Sequence, residues 1–482
     1  MKRLFIVILL IAVAKPFEAQ HISEHPRVQE ATNLLDLWID AQIAYEQIPG
    51  AAVAVVHDQE LIWSAGYGFA NVEGGVRSTP RTRYSICSIS KLFTSIAVLQ
   101  QRDEGKLRLD DPLREHLPWF NIANTHPEAG NATIVGVLTH SSGLPRESSH
   151  PYWTAPNFEF PSREEIIDGL SRQETLYPTS TYFQYSNLGL TLAGEVAAIV
   201  SNTTYESLIR DRILEPLGLT STTTEMPAEL WGNQLAVGYS AITREGIRKR
   251  LPLFQARGIS PAAGYASTVE DLGRFASWQF RTLDGTEENI LSRNTLREMH
   301  RVHWVDPDFQ GHWGLGFSTW RSDDKTFVGH GGSCPGYRSH LALQIDDKVA
   351  TAFATNALGV GAQLYTSRAY DIMAPAISAA IEGRGKEDLT EDQVPDWTLY
   401  TGTYGGSFGG ETAMLVWEGE LVGVTFPTTD PLASITRLQH IDGHIFRRIR
   451  DDDTLGEAYM FQIEGGEATS FVRHSNRYER SK

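Results

Sequence analysis

Three short segments hold the side-chain types from which an activated hydroxyl can be built. Ser88-Ile89-Ser90-Lys91 sets an amine three residues after a hydroxyl, Tyr185-Ser186-Asn187 adds a phenol and an amide, and His330-Gly331-Gly332 adds an imidazole beside two glycines. A hydroxyl is a poor nucleophile until a base takes its proton, and a lysine can do so only where its surroundings lower its pKa. Residues three apart are neighbours on a helix, so Lys91 can reach Ser88. Tyr185 can share the proton, while Asn187 can turn its amide to Lys91 or to a substrate. The chemistry such a set performs is acyl transfer: Ser88 attacks a carbonyl, and water later releases the acyl group.

Each segment alone is a weak signal. Ser-x-x-Lys recurs as Ser322-Asp323-Asp324-Lys325, and His-x-Gly recurs as His312-Trp313-Gly314. A serine ahead of a helix is commonly a cap, and the same residues also suit a buried phenol, a turn amide and a core histidine in a glycine turn. The fixed order favours the chemical reading. If Ser88 caps a helix, the N–H groups gathered at the helix start let its own N–H face an oxyanion. Ser333 N–H is the expected second donor. Asn187, His330 and Gly332 are the expected substrate contacts, the glycines allowing a ligand close to the strand.

The elements that must position these residues follow from periodicity. Val28, Ala31, Leu35, Trp38 and Tyr45 recur at helical spacing until Ile48-Pro49-Gly50, and two apolar runs, residues 51–56 and 61–65, flank a polar turn as a hairpin. Helices are expected at 92–101, 195–200, 205–214 and 271–280, strands at 326–329, 339–345 and 349–355, and a helix at 364–381. The ends of this region can form one sheet, with Ser88 and His330 on facing walls of a cleft beside a helical middle. Residues 383–396 are polar and suit a linker. Six short runs beyond it, at 413–417, 421–426, 435–440, 444–449, 458–463 and 469–474, read as strands of a small barrel or sandwich spanning 397–478.

Composition narrows the partners. Against 42 basic residues stand 59 acidic ones, a formal charge of -17, so a polyanion such as nucleic acid is repelled. Small molecules or short peptides are the expected substrates, and oligomeric state stays open. Two cysteines, Cys87 and Cys334, exclude a disulfide-rich scaffold and a four-cysteine zinc site, and no His-Glu-x-x-His occurs, so neither metal nor cofactor is expected. If the two walls of the cleft meet, an exported protein could bridge the cysteines, but two small buried thiols are expected ahead of a disulfide. Met1-Lys2-Arg3 and the apolar run 4–14 read as a signal peptide within residues 1–19, cut after Ala14 or Ala19. That run is shorter than the roughly 18 residues a bilayer span needs, so a secreted or periplasmic protein without a lasting anchor is expected.

At these residues the chain resembles the serine β-lactamase and penicillin-binding-protein-like hydrolases, in the branch of class C β-lactamases, D-aminopeptidases and esterases. Segments 105–112 (GKLRLDDP), 138–145 (LTHSSGLP), 265–272 (YASTVEDL) and 313–317 (WGLGF) carry the likeness further. It implies an α/β (α+β) fold over residues 27–382, with an antiparallel sheet flanked by helices and a helical insert. Ser88 is then the nucleophile, Lys91 and Tyr185 are proton handlers, and no cofactor is needed. The C-terminal strands are similar to the lipocalin-like domain behind some D-aminopeptidases, which either restricts the cleft, by way of residues 405–410, or stabilises from afar. One departure matters. Where class C β-lactamases and transpeptidases carry Lys-Thr-Gly, this chain has His330-Gly331-Gly332, and a histidine is largely neutral near pH 7. Esterase or D-amino-acid peptidase activity is therefore expected ahead of β-lactamase or DD-carboxypeptidase activity, with a penicillin-binding sensor of little turnover as the remaining alternative.

Overall fold

A computed structural model describes residues 21–309, 311–383, 396–406 and 410–481. The expected signal segment and most of the expected linker lie outside the described residues, as do positions 407–409 of the glycine-rich stretch. Among the described residues no helix is long and apolar enough to cross a membrane.

The first strands are β1 (Gly50–His57), β2 (Glu60–Asn71) and β3 (Val76–Arg77), with β4 (Tyr84–Ser85) and β5 (Ala266–Ser267) pairing as a small ladder beside Ser88. After a mainly helical insert come β6 (Trp304–Val305), β7 (His312–Trp313), β8 (Ser318–Ser322), β9 (Lys325–Cys334), β10 (Tyr337–Gln344) and β11 (Val349–Thr355). Nine of these form one sheet in the order β3-β2-β1-β11-β10-β9-β8-β7-β6. Its centre is apolar without alternation because both faces are covered. Side chains of a strand point alternately to opposite faces. Ala52, Ala54 and Val56 of β1 accordingly join a core with the Ser90–Asp103 and Asn187–Ser201 helices. Ala51, Val53 and Val55 join a second core with the Pro26–Tyr45 and Ala362–Ile381 helices.

Beyond residue 396 the chain forms a closed eight-stranded barrel in which each strand pairs with the next, β12 (Gly402–Gly405) through β19 (Asn476–Arg480). The six expected strands are present, and β12 and β19, which pair with each other, close it. Met414 and Leu421 point into an aromatic interior with Tyr404, Phe446, Phe461 and Phe471. Ala413, Leu415, Val422 and Val424 point the other way, into the second core behind the nine-stranded sheet. The barrel thus closes the back of the sheet. Trp38 Nε1 donates to Thr428 O at 2.8 Å, Arg368 pairs with Asp430 at 2.9 Å, and Glu30 accepts from the Glu418 backbone N–H at 2.7 Å. Such docking supports stabilisation from afar.

Two expectations need correction. Ser88 does not cap a helix: it sits in a 3-10 turn, Cys87–Ile89, that runs directly into the Ser90–Asp103 helix, and its hydroxyl takes no capping bond. The cysteines are not free thiols either, because Cys87 and Cys334 form a disulfide with Cα atoms 5.7 Å apart. Gly332 explains that approach. A Cβ there would stand 2.3 Å from Ile86 O and 2.1 Å from Ser339 Oγ, so only glycine lets β9 lie against the turn that carries Ser88.

Candidate active site

Ser88 owes its exposure to the backbone around it. Cys87 has φ +51°, a left-handed conformation uncommon for a residue with a Cβ. Ser90 Oγ donates to Cys87 O at 2.5 Å and accepts from Tyr265 N–H at 3.1 Å, which fixes the turn from below. The Ser88 side chain is left facing a cavity of about 550 Å³. Tyr185, His330, Ser333, Arg146 and Arg338 also line it.

Lys91 lies one turn along the helix, with Nζ 3.0 Å from Ser88 Oγ, 2.8 Å from Asn187 Oδ1 and 2.7 Å from Ala262 O. It is 1% exposed, and burial pushes its amine well below the ordinary lysine range, against an opposing pull from the Glu147 charge. Its protons can be counted. A neutral amine has two N–H donors and one lone pair, and Ala262 O can only accept. The polarity of Asn187 is set from its other side: the carboxylate of Glu147 accepts from Nδ2 at 2.9 and 3.0 Å, so Oδ1 must face Lys91. Both N–H donors of a neutral Lys91 are then used, and its lone pair meets the Ser88 hydroxyl. Protonated, the same nitrogen has three donors for the same three partners. The geometry accommodates both states without movement.

The start of the Asn187–Ser201 helix holds this arrangement. Ser186 caps it, its Oγ accepting from Gly189 N–H at 2.8 Å and donating to Pro145 O at 2.6 Å. Asn187 N–H donates to Arg146 O at 2.7 Å, and Ser186 N–H donates to His140 Nδ1 at 3.1 Å. The 138–147 loop is thereby tied to the helix, and Glu147 comes to lie beside Asn187. Glu147 also accepts from the hydroxyl of Tyr152 and pairs with Arg146 at 3.2 Å.

Tyr185 lies between two basic side chains, with Lys91 Nζ 4.8 Å and the Arg146 guanidinium 4.9 Å from its ring centre. Burial raises the pKa of its phenol above the ordinary value of 10, opposed by a hydrogen bond with Ser88. His330 is 4% exposed and is pushed down to about 3 by burial and the neighbouring Lys91, which keeps it uncharged near neutral pH. Its Nδ1 lies 2.6 Å from Gly331 O, so Nδ1 carries the proton and Nε2 is an acceptor without a protein partner.

The expected residues therefore converge, with differences in role. Ser88, Tyr185, His330 and Ser333 face the cavity. Asn187 does not line it, since its amide is engaged by Lys91 and Glu147 rather than turned to a ligand. Gly332 lines it, yet the need for glycine there is already met by the approach to Ile86 and Ser339. One participant was not anticipated, Glu147; the Leu138–Pro145 segment, which leads straight into it, was the available signal. Among the described residues no group of three or more histidine, cysteine or acidic side chains is placed to hold a metal ion.

The Beta-lactamase family profile matches residues 35–371, most of the chain. The chain belongs to that family. Beta-lactamase-like protein 2 of Dictyostelium discoideum is 25% identical over 389 residues, covering 80% of this chain and 70% of its own length. Further curated relatives are spanned over 60% or about half of their own length. Among solved structures, the octameric penicillin-binding protein homologue from Pyrococcus abyssi superposes with a TM-score of 0.62 at 22% identity, covering 93% of this chain and 99% of its own. The D-amino acid amidase from Ochrobactrum anthropi SV3 superposes with a TM-score of 0.59 at 23% identity, covering 73% and 99%. Both are likenesses of fold. The first extends over the barrel as well as the catalytic region. As a Beta-lactamase family member the protein is an enzyme of the serine hydrolase class.

Proposed function

We propose that the protein is an exported serine hydrolase that cleaves ester or amide bonds through an acyl-enzyme on Ser88, of the esterase or D-amino-acid peptidase type. The carrying observation is the Lys91 amine, buried and 3.0 Å from Ser88 Oγ, with both its other partners obliged to accept. Environments that push two pKa values apart assign the acid and the base. Lys91, pushed down, takes the Ser88 proton; Tyr185, pushed up, stays a phenol and donates to the leaving group. The backbone N–H groups of Ser88 and Ser333 stabilise the oxyanion. His330, uncharged, shapes the wall beside them. Water then enters the cleft and releases the acyl group with the same two residues in reversed roles.

The neutral His330 supports ester and amide substrates ahead of β-lactams, which are commonly held by a cation in the third element. The bridge between Cys87 and Cys334 supports passage through an oxidising compartment, in line with the apolar run at 4–14. An ester and D-peptide library screened on the purified protein and on Ser88→Ala tests the reading. Turnover is expected in the first and absent in the second; activity that survives the substitution overturns it, and cephalosporin turnover far above ester turnover reverses the order of substrates.

A further inference from the structure

We propose that the bridge between Cys87 and Cys334 is a positioning device of the Ser88 cleft, holding the two backbone donors of the oxyanion hole at one spacing, so that turnover depends on the oxidised state of the protein. The inference rests on Ser88 acting as described above. Each half of the bridge lies one residue from an expected donor, Cys87 before Ser88 and Cys334 after Ser333. The bond therefore joins residues 247 apart at the place where the separation of the two walls is set.

The walls are anchored unequally. On the Ser88 side, Ile86 N–H donates to Tyr265 O at 2.9 Å, and Ser90 Oγ links Cys87 O to Tyr265 N–H. The end of β9 is freer. β8 accompanies β9 only from Lys325 to Gly329, so His330 to Ser333 have β10 along one edge and line the cavity with the other. Gly332 lets this strand approach the turn but supplies no side chain to hold it there. The hydrogen bonds that accompany the bridge run from Ser339 Oγ to Ile86 O at 2.9 Å and between Ser85 Oγ and Cys334 Sγ at 3.2 Å. An oxyanion donor acts only at about 2.7–3.1 Å from the oxygen it stabilises, and a misplacement of about 1 Å can cost a hundredfold in rate. A covalent tie at this point limits that displacement. The bridge is buried, so a solvent thiol reaches it only as the walls part.

The test compares full-length oxidised protein with Cys87→Ala/Cys334→Ala, on whichever of 4-nitrophenyl butanoate and D-alanine 4-nitroanilide is turned over faster. Phenylboronic acid is the second probe, since its tetrahedral adduct on Ser88 sets an oxygen in the oxyanion hole. Thermal unfolding defines a temperature at which both proteins are folded, and Leu415→Ala, which loosens the fold away from the cleft, controls for lowered stability. The expected result is a fall in kcat of about tenfold to a hundredfold with KM within about threefold, a matching rise in the boronate inhibition constant, and neither change in Leu415→Ala. Where the double variant does not fold, wild type is treated in sub-denaturing urea with dithiothreitol, which opens the bridge to two thiols and itself closes to a cyclic disulfide. Activity is then expected to fall with the thiol count, ahead of the folded tryptophan signal, and to return with oxidised glutathione. Unchanged kcat and boronate affinity in the folded variant, or activity lost only together with the folded signal, overturn this inference while the acyl-enzyme reading stands. Oxidised wild type that turns over no ester or D-peptide overturns both.

Discussion

The two faces of the nine-stranded sheet are built on opposite terms. The front face carries polar and ionisable groups in its interior, among them Lys91, Asn187, His140 and His330, all at most 4% exposed. On the back face, Ala51, Val53, Val55 and Phe353 pack against two twenty-residue helices, and a barrel covers those in turn. Phe353 stacks on Tyr365 with ring centres 4.2 Å apart, and Trp38 packs on the same tyrosine at 5.3 Å. The contrast is physical. Buried polar groups are costly unless each is partnered, so the front face is specified by hydrogen-bond direction, whereas the back face is specified by volume and area.

The contrast can be broken from either side. Lys91→Met removes the base while keeping an unbranched chain of similar bulk, and the expected loss in kcat is about a thousandfold, within the range for general acid-base groups. Thermal or urea unfolding of that variant should show a folded protein, weakened by about 1–3 kcal/mol because Asn187 Oδ1 and Ala262 O lose their donor. A wild-type rate in Lys91→Met assigns the proton to another residue.

On the back, Leu415→Ala opens a cavity between the barrel and the Pro26–Tyr45 helix, and should lower the unfolding free energy by about 3 kcal/mol. Its kcat/KM on a short ester should stay within about twofold of wild type. A large loss of turnover in the folded variant would mean that the barrel shapes the cleft after all.

The finest probe is Glu147→Gln. Glutamine can donate to Asn187 as well as accept, so the amide is no longer held with Oδ1 toward Lys91, and kcat should fall about tenfold with little change in KM. The charge effect has a definite sign. Lys91 is active when neutral, so activity rises with pH through its pKa; the Glu147 charge holds that pKa up, and removing it should move the acid limb of the kcat/KM profile to lower pH. Glu147→Asp should restore part of the rate. A limb that stays in place while activity falls would reduce Glu147 to a packing role.

Much of the fold was legible where the pattern was local. Residues 349–355 form a strand over the expected span, and the 51–65 hairpin and the opening helix lie where the paired apolar runs and helical spacing put them. The Asn187–Ser201 helix was recognised only in its second half, because Leu188, Leu190 and Leu192 alternate like a strand and are buried all round rather than along one stripe. Strands β12 and β19 were missed for a different reason: Gly402-Thr403-Tyr404-Gly405 and Asn476-Arg477-Tyr478-Glu479-Arg480 carry little apolar signal, and their pairing with each other forms only when the barrel closes. Within the site, Ser88, Lys91 and Tyr185 announced themselves by type and order. Glu147 did not, since a charged residue reads as surface until the tertiary structure shows what faces it.

The barrel has one more consequence, for shorter proteins of this architecture. Where no such module follows the final helix, positions equivalent to Trp38 and Arg368 lose the cover that residues 428–430 give them here. A stand-alone version must dress those two helices in hydrophilic side chains, or recruit a second subunit to shelter them.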